Sequence, residues 1–75
     1  MELNEFLKHF KDQFEDTDPE TISSDTVYKE LDEWSSLTAF AIIAMVKTQY
    51  GKMLTGAEIK ECRTVADLFN CVSKK

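Results

Sequence analysis

The sequence predicts one all-α domain over residues 1–75, with three main helices, one short helix and a long loop between the first and second. Apolar residues recur at helical spacing, and no segment shows the alternation that is typical of a strand. One Pro and two Gly interrupt the chain, which is few for a protein rich in turns. Hydroxyl residues precede the later helical segments, where they can accept hydrogen bonds from unpaired backbone N–H groups. A domain of this size has a small core, so a deep enzyme cleft is not expected.

The first helix is predicted over residues 3–14. Its apolar residues recur at helical spacing, and polar residues fill the other positions. A helix with one apolar stripe packs that stripe against a core. The residues of the stripe are Leu3, Phe6, Leu7, Phe10 and Phe14.

A long loop is predicted from about residue 15 to residue 34. Pro19 disfavours α geometry at Asp18, and the acidic residues around it cannot fill a core. Asp25 is a candidate cap for a short turn that runs through Leu31. Connections this long are often functional, so the loop is a mild indication of a site. The isolated apolar residues expected to anchor it to the core are Ile22, Val27 and Leu31.

The second helix is predicted from Ser36 to about Tyr50. Ser35 is its predicted N-cap, because a serine hydroxyl can accept a hydrogen bond from the first helical N–H groups. Gly51 is placed to end the helix, since glycine readily adopts the left-handed conformation found there.

Residues 37–46 of this helix are almost wholly apolar, and only Thr38 interrupts them. An amphipathic helix needs one apolar side, so this helix is either buried on several sides or exposes a face that binds a partner. The two possibilities are compatible. One arrangement places Phe40, Ala41 and Ala44 outside and Leu37, Ile42, Ile43 and Val46 inside, and the reverse is also open.

Two further helix starts share one pattern, a threonine followed three residues later by a carboxylate. The first opens a short helix that contains Ile59 and Cys62, and the second opens a last helix with one apolar face. The pairs are Thr55 with Glu58 and Thr64 with Asp67. The apolar face consists of Val65, Leu68, Phe69 and Val72.

The net charge of −5 is unevenly distributed along the chain. Residues 1–33 contain eleven acidic residues and three lysines, whereas residues 34–75 contain three acidic and six basic residues. An acidic first half repels phosphate backbones and attracts basic protein surfaces. Nucleic acid is therefore not an expected partner.

Cysteine use and hydropathy indicate a cytoplasmic protein. The spacing of Cys62, Cys71 and His9 does not predict a metal site, and one pair of cysteines is not a disulfide framework. Both thiols are expected to be reduced and partly buried. The chain begins without a basic segment followed by an apolar one, and its apolar runs fall short of the ~20 residues that cross a bilayer. We expect a soluble monomer that does not insert into membranes.

Ser36 is the candidate functional residue. A hydroxyl at the first turn of a helix lies beside unpaired N–H groups and the positive end of the helix dipole, an environment that favours a phosphodiester. His9 is predicted on the polar side of the first helix, and no base is positioned to activate Ser36. A hydrolase that uses this serine is therefore a remote possibility, and no catalytic residue is predicted.

Four segments together match the pattern of one known family. They are residues 25–31 before the candidate serine, Trp34-Ser35-Ser36-Leu37 around it, residues 50–54 after the second helix, and residues 64–68 at the start of the last helix. Over essentially its whole length the chain resembles the acyl carrier protein family, the small four-helix carriers of fatty-acid, polyketide and peptide synthesis. The resemblance implies an acyl-carrier-like four-helix bundle.

The resemblance also implies a cofactor and partners. The family motif is Asp-Ser-Leu, whose serine carries 4′-phosphopantetheine from coenzyme A, and by position that serine is Ser36, flanked at the cofactor site by Ser35 and Leu37. A separate phosphopantetheinyl transferase would attach the arm, and a loading ligase and synthase enzymes would use the acyl or aminoacyl thioester. The chain itself would not be an enzyme. Candidates to line a space for the acyl chain, equally suited to a plain core, are Phe6, Leu37, Ile42, Ile43, Leu68 and Phe69.

Two features depart from the family pattern. Ser35 replaces the aspartate and is about as good an N-cap, so the helix start is expected to survive and transferase recognition is the property in question. Residues 36–50 contain no Asp or Glu and include Lys47, which weakens electrostatic steering toward basic enzymes. This favours a specialised carrier with dedicated enzymes. The residues expected to contact partners are Asp32, Glu33, Trp34, Phe40 and Met45.

A second function from another class remains open. The chain could be an unmodified helical interaction module, in which the apolar second helix binds a partner and Ser36 only begins the helix. In that case Ser36→Ala preserves biological activity, whereas a carrier would lose its activity and keep its fold.

Overall fold

Four α-helices and two short 3₁₀ turns form the protein, whose computed structural model describes residues 2–75. The helices are α1 (Leu3–Lys11), α2 (Ser36–Tyr50), α3 (Gly56–Glu61) and α4 (Val65–Ser73). Both α1 and α3 pack against α2 and α4. The described residues contain no β-strand, so the predicted all-α class is confirmed. None of the helices in residues 2–75 is long and apolar enough to cross a membrane.

A series of aromatic rings runs through the core. Phe6 meets Phe69 edge-on with ring centroids 5.6 Å apart, and Phe10 meets Tyr28 in the same way at 5.9 Å. The Tyr28 ring lies 4.9 Å from that of Trp34, just before α2. The core therefore extends from α4 to the start of α2. Its buried apolar residues are Phe6, Phe10, Phe14, Ile22, Tyr28, Ile42, Met45, Val46, Leu54, Ile59, Val65, Leu68 and Val72.

The first helix is shorter than predicted, because α1 ends at Lys11 rather than at residue 14. In the turn that follows, the N–H of Gln13 donates to the carbonyl of Phe10 at 3.1 Å, and the N–H of Phe14 donates to that of Lys11 at 3.0 Å. These bonds span three residues, so the chain tightens and leaves the α-helical path. Phe14 still packs on Phe10 and is buried, so the predicted apolar stripe is confirmed for Phe6, Leu7, Phe10 and Phe14 and not for Leu3.

The connection between α1 and α2 contains two 3₁₀ turns, Pro19–Thr21 and Tyr28–Glu30. Asp18 caps the first turn, since its Oδ1 accepts the N–H of Glu20 at 2.9 Å. The second turn has no side-chain cap, so the predicted capping role of Asp25 is wrong. The N-cap position falls two residues after Asp25, whereas a capping side chain normally belongs to that position.

Tyr28 is the main anchor of this connection and was not predicted as one. Its hydroxyl donates to the carbonyl of Ile59 at 2.5 Å and reaches that of Cys62 at 3.0 Å, at the C-terminal end of α3. Burial raises the pKa of the Tyr28 phenol, so the hydroxyl stays a neutral donor. The connection is thereby attached to α3. Of the predicted anchors, Ile22 is buried, and Val27 and Leu31 are partly buried.

The predicted ends of the later helices are largely confirmed. Gly51 ends α2 with a φ of 66°, in the left-handed conformation that favours glycine. α3 ends at Glu61, so Cys62 follows the helix instead of lying in it, because the backbone turns extended there. Complete capping boxes begin α3 and α4 at the predicted pairs, Thr55 with Glu58 and Thr64 with Asp67.

Candidate functional site

The two adjacent serines at the start of α2 have different surroundings. The Ser35 Oγ accepts the N–H of Thr38 at 3.3 Å, as expected of an N-cap. Thr38 is itself buried, and its hydroxyl donates to the carbonyl of Glu33 at 3.0 Å. The Ser35 hydroxyl therefore belongs to the helix cap.

Ser36 is the first residue of α2 and is exposed. Its hydroxyl has no hydrogen-bond partner in the part of the chain that the structure describes, and neither do the backbone N–H groups of Ser36 and Leu37. The start of a helix carries roughly half a positive elementary charge. An open hydroxyl thus lies beside two free donors in a field that favours an anion.

Glu33 ties the segment before α2 to the loop after α1. Its carboxylate accepts hydrogen bonds from the N–H groups of Glu15 at 2.8 Å, Asp16 at 3.0 Å and Thr17 at 2.9 Å, and from the Thr17 hydroxyl at 2.6 Å. The hydrogen bond from the Thr17 hydroxyl is the largest cause of a lowered pKa for Glu33. A partner that contacts the Glu33 carboxylate, as predicted, would therefore compete with these four hydrogen bonds. No local pattern could reveal it, because the donors lie 16 to 18 residues away.

The remaining predicted partner residues near Ser36 differ in exposure. Asp32 is exposed, and Trp34 is partly buried between the rings of Tyr28 and Phe14. Trp34 can therefore offer only part of its ring to a partner, whereas Asp32 is accessible.

Exposed apolar side chains follow Ser36 on α2. Leu37 is 80% exposed and Phe40 is 71% exposed, and Met53, in the connection to α3, is 62% exposed. The prediction that Met45 contacts partners is wrong, because only 6% of this residue is exposed and it packs in the core. Five residues at 3.6 per turn place Met45 about 140° around the helix from Phe40.

α2 adopts neither of the two predicted arrangements in full. Phe40 and Ala44 lie outside, and Ile42 and Val46 lie inside, as the first arrangement proposed. Leu37, however, is exposed, because the first turn buries Thr38 and the preceding residue projects about 100° away from it around the helix.

A groove of about 610 Å³ opens between α2 and α3, and Ser36 is part of its lining. Two of the residues predicted to line an acyl space, Leu37 and Ile43, line this groove. The remainder of that predicted set lies in the core or against it. Phe6, Ile42 and Leu68 are fully buried, and Phe69 is partly buried.

Two lysines and part of the opposite wall of this groove were not predicted. Lys29 comes from the second 3₁₀ turn, and Ile59 and Lys60 come from α3. These residues stand about 30 positions apart in the chain, as the hydrogen bond from Lys29 to the carbonyl of Lys60 illustrates. No periodicity or motif connects them, so the sequence offers no signal that would bring them together.

The two cysteines are partly buried free thiols, as predicted. Burial is the largest cause of a raised pKa for both, and it brings the pKa of Cys71 to about 11. The Cys71 thiol also donates to the Glu58 carboxylate at 3.3 Å. Both sulfurs are therefore protonated near neutral pH and are poor nucleophiles.

No side chain of the described residues is hydrogen-bonded to the Ser36 hydroxyl as a base would be. His9 is partly buried against the ring of Tyr50, the last residue of α2, with ring centroids 6.0 Å apart. Tyr50 and Ser36 lie at opposite ends of the helix, about 21 Å apart along its axis. Over residues 2–75 no group of three or more His, Cys, Asp or Glu side chains could hold a metal ion.

No protein-family model, no curated protein and no solved structure matches this chain.

Proposed function

We propose that this chain is an acyl carrier protein, whose Ser36 bears 4′-phosphopantetheine and holds an acyl or aminoacyl intermediate as a thioester. The observation that carries the proposal is the Ser36 hydroxyl, exposed and unpaired at the first turn of α2 while Ser35 caps the helix. The chain's resemblance to the acyl carrier family and its order of helices, with one long connection before α2, add support.

The surroundings of Ser36 suit a phosphodiester and do not suit autonomous catalysis. The N–H groups of Ser36 and Leu37 can donate to phosphate oxygens, and the α2 dipole favours their negative charge. No side chain of residues 2–75 accepts a hydrogen bond from the hydroxyl, so a separate phosphopantetheinyl transferase would attach the arm. The Ser36 oxygen would bond to the phosphorus next to the pantetheine of coenzyme A, the pyrophosphate bond would break, and adenosine 3′,5′-bisphosphate would leave. The terminal thiol of the arm then serves as acyl acceptor and leaving group.

The exposed apolar side chains beside Ser36 support docking of partner enzymes. Leu37 and Phe40 are exposed next to the attachment point, and α2 carries no acidic residue. A partner would meet an apolar surface with Asp32 at its edge. The transferase, a loading ligase and the synthase enzymes of fatty-acid, polyketide or related synthesis are the proposed partners.

Intact-mass analysis tests the proposal. Incubation with coenzyme A and a transferase of broad specificity should add the mass of one phosphopantetheine group to the wild-type protein. Ser36→Ala should remain unmodified, and Ser35→Ala, the matched control, should still be modified if circular dichroism shows it folded. An unmodified wild type, or an adduct that persists in Ser36→Ala, would overturn the assignment.

The exposure of Leu37, Phe40 and Met53 also fits a second function, an unmodified helical module that binds a partner through this apolar surface. Only the carrier function requires the hydroxyl oxygen of Ser36. An interaction module keeps its biological activity in Ser36→Ala, whereas a carrier keeps its fold and loses its activity.

A further inference from the structure

The groove between α2 and α3 has the size and lining of a small-molecule site. Its volume of about 610 Å³ lies within the range of roughly 300–1,000 Å³ that is common for such sites. Its apolar lining includes Trp34, Phe40, Ile43 and Ile59, and Ser36 lines the same groove. An arm attached to Ser36 would therefore begin beside this apolar groove.

Two positive charges border this apolar groove. Lys29 and Lys60 are its charged lining residues, and both are exposed. The Lys29 Nζ donates to the carbonyl of Lys60 at 2.5 Å, which holds the ammonium group at the end of α3. The ion pair found in residues 2–75 joins Lys75 to Glu58, so neither groove lysine forms an ion pair with a carboxylate of the described chain.

These charges contrast with the rest of the molecule. The chain has a net charge of −5, and its first 33 residues are strongly acidic, yet the charged side chains that line the groove are both basic. A plain hydrocarbon gains nothing from two ammonium groups, whereas a ligand with an apolar body and an anionic end complements this lining.

We infer that the groove favours a cargo whose acyl chain ends in a carboxylate remote from the thioester, with Lys29 and Lys60 binding that carboxylate. This inference rests on the proposed carrier function and names the substrate class that it serves.

An anion near Ser36 could also come from the arm's own phosphate. The free N–H groups of Ser36 and Leu37 and the positive end of α2 are already available to that phosphate. Lys60 belongs to α3, on the wall of the groove opposite α2. The cargo is therefore the better match for the lysines, and the experiment separates the two anions.

The experiment compares cargoes that differ in the terminal carboxylate alone. The transferase would load the protein from hexanoyl-coenzyme A, from adipoyl-coenzyme A, which has the same number of carbons, and from coenzyme A itself. The readouts are the rate of thioester cleavage by hydroxylamine, normalised to the free thioesters, and methyl NMR shifts of Ile43 and Ile59.

We expect the adipoyl thioester to be cleaved about threefold to tenfold more slowly than the hexanoyl thioester, which is the factor that two exposed ion pairs provide. Neutralising both groove lysines, Lys29→Gln with Lys60→Gln, should abolish the difference. Lys47→Gln is the matched control, because it removes one exposed lysine of α2 outside the groove lining. Added salt should reduce the preference.

Several results would overturn the inference. Equal cleavage of the two thioesters, or a preference that survives the double lysine variant, would show that the lysines do not select the cargo. An equal effect of the variant on both loaded forms and on the unloaded holo-protein would assign the lysines to the arm's phosphate.

Failure of the proposed function gives a different result, because the wild-type protein would then take no arm from coenzyme A. Free adipoyl- and hexanoyl-pantetheine, titrated into the unmodified protein, would then report on the groove separately. A lysine-dependent preference for adipoyl-pantetheine in the Ile43 and Ile59 methyl shifts would support the groove's selectivity, and equal shifts would overturn it.

Discussion

Ser35 and Ser36 are neighbours in the chain, and the backbone geometry at the start of α2 decides which hydroxyl is available. Ser35 is extended, with a φ of −157°, and aims its Oγ back at the N–H of Thr38. Ser36 is already helical, so its side chain leaves the helix axis and meets solvent. Ser35 therefore keeps the cap and leaves this position without a charge.

This difference predicts unequal costs for two similar substitutions. Ser35→Ala removes a capping hydrogen bond and should lower the free energy of unfolding by about 1 kcal/mol, or ~4–8 °C in Tm. Ser36→Ala removes a hydroxyl that has no hydrogen-bond partner among the described residues, so the free energy of unfolding should change by less than about 0.5 kcal/mol. Urea and thermal unfolding of the unmodified proteins measure both values. Equal destabilisation by the two changes would contradict the assigned roles.

At the scale of elements, α2 divides its apolar residues between the core and the surface beside Ser36. Ile42, Met45 and Val46 are buried, and Leu37 and Phe40 are exposed. One side of the helix thus packs in the core, and the other exposes apolar side chains to solvent.

We expect substitutions on the two sides of α2 to differ in their effect on stability. Met45→Ala creates a cavity in the core and should cost about 2–5 kcal/mol of unfolding free energy. Phe40→Ala should change stability by less than about 0.5 kcal/mol. If the proposed carrier function holds, it should also slow modification by the transferase, since Phe40 lines the same groove as Ser36. Thermal unfolding and the rate of arm attachment are the measurements. A stable Met45→Ala protein would show that Met45 is not a core residue.

The connection before α2 is held to α3 chiefly through Tyr28. Tyr28→Phe keeps the buried ring and removes the donor to the carbonyl groups of Ile59 and Cys62. Buried acceptors without a donor cost about 1–3 kcal/mol, so we expect that loss in urea unfolding. An unchanged unfolding midpoint would show that water satisfies these carbonyls.

At the scale of the whole molecule, several ionised carboxylates hold backbone segments in place. Glu33 fixes the loop after α1, Glu58 belongs to the capping box of α3 and pairs with Lys75 at 2.6 Å, and Asp67 belongs to the capping box of α4. The Lys75 ammonium is the largest cause of a pKa of about 2 for Glu58. Hydrogen bonds also lower the pKa values of Glu33 and Asp67.

These lowered pKa values predict acid sensitivity. A carboxyl group whose folded pKa lies below its unfolded value stabilises the protein above the unfolded pKa, and this stabilisation is lost as pH falls through the folded pKa. For Glu58 that window runs from its ordinary value of 4.5 down to about 2. Tm should therefore fall across this window, and less steeply in Glu58→Gln. A Tm independent of pH below 4.5 would contradict the ionic role of these groups.

The sequence by itself determined the features that depend on neighbours within about four positions. The caps at Ser35, Thr55 and Thr64, the end of α2 at Gly51 and the location of the candidate serine are all of this kind, because a helix end is satisfied by the nearest side chains. The apolar stripe of the first helix was also predictable, although its last turn was not, since a tightened turn and an α turn bury the same phenylalanine.

Only the tertiary structure decided which side of α2 is buried, that Glu33 holds the loop, that Tyr28 anchors to α3 and that two lysines border the groove. The hydrogen bonds of Glu33, Tyr28 and Lys29 join residues 16 to 34 positions apart. The sequence of a helix that is apolar nearly all round does not indicate which of its faces is buried. Polar groups that are distant in the chain meet only after the core has brought their segments together. Local hydrogen bonding therefore fixed where α2, α3 and α4 begin, and packing fixed what surrounds Ser36.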